Sequence, residues 1–378
     1  MIRVLNIITD MSIGGAGKVL VNFLEATDRG RFDHTIIVPE GSELSPVLGS
    51  LGIRVVEMAG IGGRSFSPFT IGKFRREFKQ LKPDIIHTHA SLSARIAAKM
   101  WSGKCAVVNT RHCAYPQSKL KTTFPVKQLL GFVNNYLSDT IIAISPASRD
   151  NLVETGADPR KIVTMFNGVE PVRRLTIEEK DAVRASLGIR PEHFVCSIIA
   201  RFVPEKGHLY VLEAASMLAD LPIRFIIAGY GPYENEVRAA AESLKLDNCI
   251  FTGFISDIAT IENITDLQIN ASYGTETSSL SLLEGMSLST PAVASDYGGN
   301  PYLITDGENG LIVPQHDGAA VAEAVRRLYG ERDTLARMGN SALRIYNERF
   351  TAVAMAAAIE KVYNSLCPGL LSGAPGKG

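Results

Sequence analysis

At 378 residues, 46% hydrophobic and 21% charged, the chain is long for one compact domain and ordinary for two globular ones, and no run approaches the roughly 18 apolar residues of a membrane-spanning helix. The formal net charge of zero hides a split, with 22 Lys and Arg against 14 Asp and Glu in residues 1–173, and 17 against 25 in residues 174–378. Five scattered cysteines without a C-x-x-C pair argue against a disulfide framework or a zinc site and for a reducing cytoplasm.

The N-terminal apolar run meets Asp10 too early for a signal-peptide core. Short β-branched runs then alternate with helical segments. Strands are predicted at residues 4–8, 34–38, 54–58, 85–87, 106–110 and 140–144. A second series is predicted at residues 162–165, 194–199, 224–228, 249–252, 267–270, 292–294 and 311–313. Fully apolar strands joined by helices imply parallel sheets covered on both faces. Residues 317–329 carry the 3.6-residue period, with Asp317 placed as the N-cap.

Residues 167–171 contain a Gly and a Pro and mark the break between halves, before a charged helix from Thr176. The expected fold class is α/β, with two Rossmann-like doubly wound domains at 1–172 and 173–345. Residues 346–366 are expected to form a C-terminal helical segment turning back to the first domain, and 367–378 a flexible tail. Sheets of this kind bind ligands at the carboxyl ends of their strands.

The most informative stretch runs from Tyr273 to Met286. It holds two carboxylates, Glu276 and Glu284, with a serine-rich turn between them that feeds an apolar helix. A helix opening at Ser278 to Ser281 presents unpaired backbone N–H groups, an anion site suited to phosphate. Glu276 would stay in the preceding loop and Glu284 in the first or second turn, both able to hold vicinal hydroxyls. Ser281 and Glu284 also fit a capping box, in which the glutamate only satisfies a helix end.

Several ordered motifs resemble glycosyltransferase family four, whose members have the GT-B fold of two domains facing across a cleft. They are Ile13-Gly14-Gly15-Ala16-Gly17, Asp84-Ile85-Ile86-His87-Thr88-His89, Thr110-Arg111-His112 and Phe166-Asn167-Gly168-Val169. Then come the run from Ala200 to His208, Ala228-Gly229-Tyr230-Gly231-Pro232, the two-glutamate stretch, the run from Ser295 to Pro301, and the run from Asp306 to Leu311. The resemblance covers nearly the whole chain and implies a retaining transferase that uses a nucleotide-sugar.

The resemblance implies roles residue by residue. Arg201 and Lys206 correspond to the diphosphate-binding pair, where a guanidinium fork and an ammonium stabilise a leaving group whose charge grows. Glu284 would hold the ribose hydroxyls and Glu276 a hydroxyl of the donor sugar. Backbone N–H groups around Ser279 and Leu280 would add to the phosphate site, while Gly229, Tyr230 and Phe254 are placed near the base. The Gly14–Gly15 turn would let backbone approach the donor phosphates or the acceptor. His112 matches the active-site histidine, His89 is a weaker candidate on the acceptor side, and His87 reads as a buried structural residue. Catalysis is therefore expected to involve Glu276, His112, Arg201 and Lys206.

Three positions depart from the family pattern: relatives often carry Gly at Ser279, Ala at Gly285 and Gly at Ser289. No D-x-D motif and no metal-ligand spacing occur, so catalysis without a metal or cofactor is expected, and the lack of a well-placed carboxylate nucleophile favours front-face displacement, as proposed for similar enzymes.

The expected partners are a nucleotide-sugar, UDP-linked in preference to GDP-linked, and a saccharide or lipid-linked glycan acceptor in surface polysaccharide or glycoconjugate synthesis, with no nucleic acid. Residues 69–82 and 119–137 interleave Lys or Arg with Phe and Leu, a composition that suits an anionic membrane surface as well as an ordinary amphipathic helix. The expected location is the cytoplasm, with peripheral docking on the inner face of the cell membrane as one reading of the basic half. Mutual attraction of the two halves is the other. Competing readings are a glycoside hydrolase, a nucleotide-sugar epimerase of the same fold, a transferase for a small soluble acceptor, and a binding module without catalysis.

Overall fold

The computed structural model describes residues 1–114 and 117–368. It divides into two compact units, Met1–Gly168 together with the chain from Ala352 onward, and Val169–Thr351. Most of the tail expected at 367–378 lies outside the described residues.

In the first unit, β1 (Ile2–Ile8), β2 (Phe32–Pro39), β3 (Arg54–Met58), β4 (Ile85–His89), β5 (Ala106–Arg111), β6 (Thr140–Ala143) and β7 (Ile162–Thr164) form one parallel sheet in the order β3-β2-β1-β4-β5-β6-β7. The strand near residue 162, which opens the second predicted series, is thus the edge of the first sheet, with Ile141 paired to Ile162.

In the second unit, β8 (Phe194–Ile199), β9 (Ile223–Ala228), β10 (Cys249–Gly253), β11 (Leu267–Asn270), β12 (Ala292–Ser295) and β13 (Gly310–Val313) give the parallel order β10-β9-β8-β11-β12-β13. Alternate residues of each strand face opposite covered sides, which explains why most strand residues are apolar, with Ser197, Gln268 and Asn270 as buried polar exceptions. Phe194, Cys196 and Ile198 join one buried cluster with Phe225 and Ile227, whereas Val195 joins another with Ile226 and Ala228 on the opposite face. Strand order reverses between β1 and β4 and between β8 and β11, which places a crevice at the carboxyl edge of each sheet.

Local signals set the helix ends. Thr176 and Glu179 form a capping box for helix Ile177–Ser186, and the Asp317 side chain accepts from Ala320 N to start helix Gly318–Gly330.

The units part between Gly168 and Val169, slightly before the sequence-based boundary. Val169 N donates to Phe350 O at 3.0 Å and the Tyr346 hydroxyl donates to Val169 O at 2.8 Å, which ties this residue to the second unit. Helix Arg332–Arg349 stays in that unit too. Only helix Ala352–Leu366 returns to the first. There Glu360 accepts from the Thr27 hydroxyl at 2.9 Å and from Asp28 N at 2.7 Å, and Tyr363 is fully buried.

Candidate active site

In the second unit, most of the sequence-selected residues lie just past the carboxyl ends of strands. Arg201 and Lys206 follow β8, Gly229 follows β9, Phe254 follows β10, and Glu276 and Ser279 follow β11. Helix Leu280–Ser287 is capped by the Ser279 side chain, which accepts from Leu282 N at 3.4 Å. The cap is therefore Ser279, within the expected opening at Ser278 to Ser281, and the alternative of a capping box from Ser281 and Glu284 is not the one that forms. Glu284 occupies the second helical turn, half-buried, while Glu276 stays in the loop before the helix. A serine where relatives often carry glycine thus supplies the helix cap.

Glu276 is only 4% exposed, and its Oε2 accepts from Lys206 Nζ at 2.8 Å. The Asn270 amide and the Ser272 hydroxyl each reach the same oxygen at 3.2 Å. Burial alone would push this carboxyl up and is the largest single influence. The Lys206 charge and the three hydrogen bonds together outweigh it and hold the group below the usual carboxylate range. Glu276 is therefore an ionised carboxylate in a mostly dry site.

The loop carrying Glu276 is fixed from β12. Gly299 N donates to Glu276 O at 3.0 Å, and a Cβ on Gly298 or Gly299 would run into the carbonyls of Glu276 or Thr277. The Tyr297 hydroxyl donates to Gly274 O at 2.7 Å, and the Asn300 amide reaches Ser295 Oγ at 3.1 Å. The run from Ser295 to Pro301 is thus the brace of the glutamate loop. Asn270 and Ser272 are site residues that sequence reasoning missed, because nothing local marks them as partners of Glu276.

Lys206 ends a short 3-10 turn, Pro204–Lys206, and Gly207 follows with φ +72. A Cβ on Gly207 would meet the Ala271 carbonyl, so glycine is required where the β8 and β11 loops touch. Gly229, with φ +140, is pressed in the same way onto the Ala200 carbonyl. Its glycine character is explained by packing between loops, and the base role expected for it draws no support from that. Arg201 is exposed, and its guanidinium has no partner among the described residues. Ser278 is buried and its hydroxyl likewise has no partner among them. Tyr230 and Phe254 are both exposed and meet edge to face at 5.4 Å.

The two other departures have physical reasons. A Cβ on Gly285 would strike the buried Gln268 amide, which donates to Glu262 and to Ser281 O, each at 2.8 Å. Gly285 and Gln268 are thus matched in size. Ser289 sits at φ +69, the left-handed region that favours glycine. Ser289→Gly is expected to raise stability by about 1 kcal/mol, and calorimetry should show a higher midpoint. An unchanged or lowered midpoint would mean the Ser289 side chain contributes more than the strain it carries.

In the first unit, helix Gly15–Ala26 starts from Gly14, which has φ −87 and no side-chain cap. A Cβ on Gly14 or Gly15 would meet no atom within 4 Å. No protein atom therefore demands glycine at either position, and the space beside the turn is open.

His89 ends β4 and His112 follows β5. Their rings stack at 5.1 Å, and His89 Nδ1 lies 2.8 Å from His112 Nε2, so one of these nitrogens donates to the other. His87, as expected, is buried inside its strand, with Nδ1 at 2.6 Å from the Tyr363 hydroxyl and Nε2 at 2.6 Å from Thr110 Oγ1. His89 Nε2 is buried without a partner among the described residues, beside a small apolar cavity lined by Phe23, Ile142, Met165 and Met355.

Burial lowers His112 to about 4 and His87 to about 3, the latter helped by His112 and His34. Both values lie below the unfolded 6.5, so the stability gained from keeping these rings neutral is complete above that pH. It is lost as pH falls through the folded values. Scanning calorimetry from about pH 7 to 4.5 should show a falling midpoint, with a shallower slope in His112→Asn. Equal slopes would show that His112 does not titrate on unfolding.

Among the described residues no group of three His, Cys, Asp or Glu side chains is arranged to hold a metal ion, and no helix is long and apolar enough to cross a membrane.

The paired doubly wound sheets are those of the GT-B class. The structure of Anabaena HepE in complex with UDP superposes with a TM-score of 0.83 at 19% identity, covering 97% of this chain and 100% of that one. The family model for group 1 glycosyl transferases matches residues 179–344, and that for glycosyltransferase family 4 matches residues 13–173. The chain belongs to the group 1 glycosyltransferases, as the sequence motifs imply. Its relatives include the Escherichia coli UDP-Gal:alpha-D-GlcNAc-diphosphoundecaprenol alpha-1,3-galactosyltransferase, 26% identical across 67% of this chain and 68% of that protein. The D-rhamnosyltransferase WbpZ of Pseudomonas aeruginosa is 25% identical across 88% of this chain and 87% of its own length.

Proposed function

We propose that this glycosyltransferase moves a sugar from a nucleoside-diphosphate sugar, UDP-linked in preference to GDP-linked, to a saccharide or lipid-linked glycan, with retention at the anomeric carbon. One observation carries the reading. The carboxyl edge of the second sheet combines the buried Glu276–Lys206 pair with an exposed Arg201 and, beside a helix N-terminus, a buried Ser278 hydroxyl without a partner among the described residues. That set offers two cations and a helix end to a diphosphate, and a fixed carboxylate to a sugar hydroxyl. The named substrates of the E. coli relative and the UDP held by HepE support the same donor chemistry.

In this reading Arg201, Lys206, Ser278 and the N–H groups around Ser279 and Leu280 take the diphosphate. Glu284 takes the ribose hydroxyls and Glu276 a hydroxyl of the sugar. Tyr230 and Phe254 form an exposed aromatic pair for the base. His112, positioned by His89, and the open Gly14–Gly15 turn serve the transferred sugar and the acceptor. The bond from the anomeric carbon to the phosphate oxygen breaks on the same face on which the acceptor oxygen bonds, and the departing phosphate receives the acceptor's proton. The two cations stabilise the departing charge without a divalent metal. Synthesis of surface polysaccharide or a glycoconjugate is the matching role.

Incubation with a panel of UDP- and GDP-sugars tests this reading. Slow donor hydrolysis in EDTA, and a retained configuration in the product of any accepted glycan, are expected. Interconversion of donors would instead reveal an epimerase, and inversion or a trapped glycosyl-enzyme would overturn the mechanism.

A further inference from the structure

The two basic–aromatic segments separate clearly in the structure. Helix Pro68–Leu81 spends Phe74 and Phe78 in the core of the first unit, where their rings stack at 6.1 Å. Its outer face carries Arg75, Arg76 and Lys79, and of its aromatics only Phe69 stays exposed. That is an ordinary amphipathic helix.

Residues 119–137 behave differently. They form two helices, Lys119–Thr122 and Val126–Leu137, interrupted at Pro125. The second is pinned along its inner side. A Cβ on Gly131 would strike the Gly156 carbonyl, the Asn135 amide donates to that carbonyl at 3.3 Å, and Asn134 accepts from Arg95 at 3.2 Å. This seating leaves Leu129, Phe132 and Tyr136 outward at i, i+3 and i+7, exposed to 62%, 65% and 59%. Leu120 and Phe124, exposed to 68% and 80%, belong to the same hairpin. The Phe132 and Tyr136 rings stack nearly parallel, 5.6 Å apart at 7°. No residue of this outward stripe is spent on the core.

The sequence that carries the stripe has charge of one sign. Between Asp84 and Asp139 the sequence holds seven Lys or Arg and no Asp or Glu. Lys104, Lys119 and Lys121 of that stretch are exposed, Lys99 is exposed but paired with Asp139 at 3.3 Å, and Lys127 is half-buried at the start of the second helix.

We propose that the outward face of this helical hairpin docks on a bilayer leaflet bearing anionic lipid, with Leu129, Phe132 and Tyr136 entering the headgroup boundary and the lysines meeting lipid phosphates. Aromatic and leucine side chains on a helix flanked by lysines suit such an interface, where the rings sit at the boundary and the ammonium groups remain hydrated. Within the chain this hairpin begins at Lys119, a short stretch after His112, so docking would act on the acceptor side of the proposed function. The proposal extends the acceptor side of the proposed function, and its test uses no donor, so either can fail without the other.

The test is co-sedimentation of the full chain with vesicles of phosphatidylcholine, with and without about one-third phosphatidylglycerol. Binding is expected only with the anionic lipid at low salt, weakening in about 0.5 M salt. Leu129→Ser with Phe132→Ser, and separately Lys119→Glu with Lys121→Glu, should each reduce the bound fraction at least about tenfold. Arg75→Glu with Arg76→Glu on the other helix should leave it within about twofold. All these positions are solvent-exposed, and circular dichroism checks that each variant is folded. No binding by the unchanged protein, or equal loss in the Arg75/Arg76 variant, overturns the proposal. So does a dimer in analytical ultracentrifugation that Leu129→Ser with Phe132→Ser disperses, if vesicle binding is absent, because the face would then meet a second copy of the chain.

Discussion

Lys206→Ala is expected to lower transfer activity by about 100-fold or more and to destabilise the protein by about 2–4 kcal/mol. The first effect follows from losing a cation proposed to meet the departing diphosphate. The second follows from Glu276, whose side chain is 5% exposed against 22% for Lys206, so the carboxylate would stay buried with only Asn270 and Ser272 as donors. Its pKa should then rise, because burial already pushes it up and the largest opposing influence has gone. The double variant Lys206→Ala with Glu276→Gln separates the two effects. Stability should return in large part, since a neutral amide tolerates burial, while activity should not. Thermal unfolding and steady-state rates measure both arms. If the double variant regained activity as well, Lys206 would be only a counter-ion.

Glu284→Ala is expected to weaken binding of free UDP by about 10- to 100-fold, the range for hydrogen bonds to a charged group, with little change in the unfolding midpoint. Turnover at saturating donor should be largely kept, because the lost contact is made equally in ground and transition states. Glu276→Ala should do the opposite, costing turnover without weakening free UDP, since its removal leaves the Lys206 ammonium with one anionic partner fewer. Calorimetric titration of both variants distinguishes the roles. Equal losses of UDP affinity would mean that the two carboxylates do not divide nucleotide from sugar.

The strands were legible because parallel sheets bury both faces, so runs such as residues 292–294 and 311–313 are apolar end to end and lie within the observed strands β12 and β13. The end of the first sheet was less legible. The strand near 162 reads as the start of the second series although it lies before the expected domain break, and its pairing with β6 makes it the edge of the first sheet. Helix starts were readable where one residue caps one helix, as at Thr176 and Asp317, and bracketed without a single cap where serines compete, as in the run from Ser278 to Ser281.

At the candidate site, the ordered motifs picked out Arg201, Lys206, Glu276 and Glu284. They gave no sign that Lys206 and Glu276, seventy residues apart, form one ion pair. Nor did they indicate that Asn270 and Ser272 share its oxygen. Such partners are set by which strand ends lie side by side, and no local pattern encodes that. The glycines show the same limit. Gly207, Gly229, Gly298 and Gly299 are each explained by a carbonyl a Cβ would strike, whereas Gly14 and Gly15 meet nothing.

Hydrogen–deuterium exchange with and without UDP tests the central claim most directly, because it reports where the nucleotide sits. Protection is expected in the β8 loop, residues 200–207, and in the glutamate loop and helix start, residues 276–284. Saturable UDP binding that leaves both segments exchanging as before would contradict the placement of the donor site at the carboxyl edge of the second sheet.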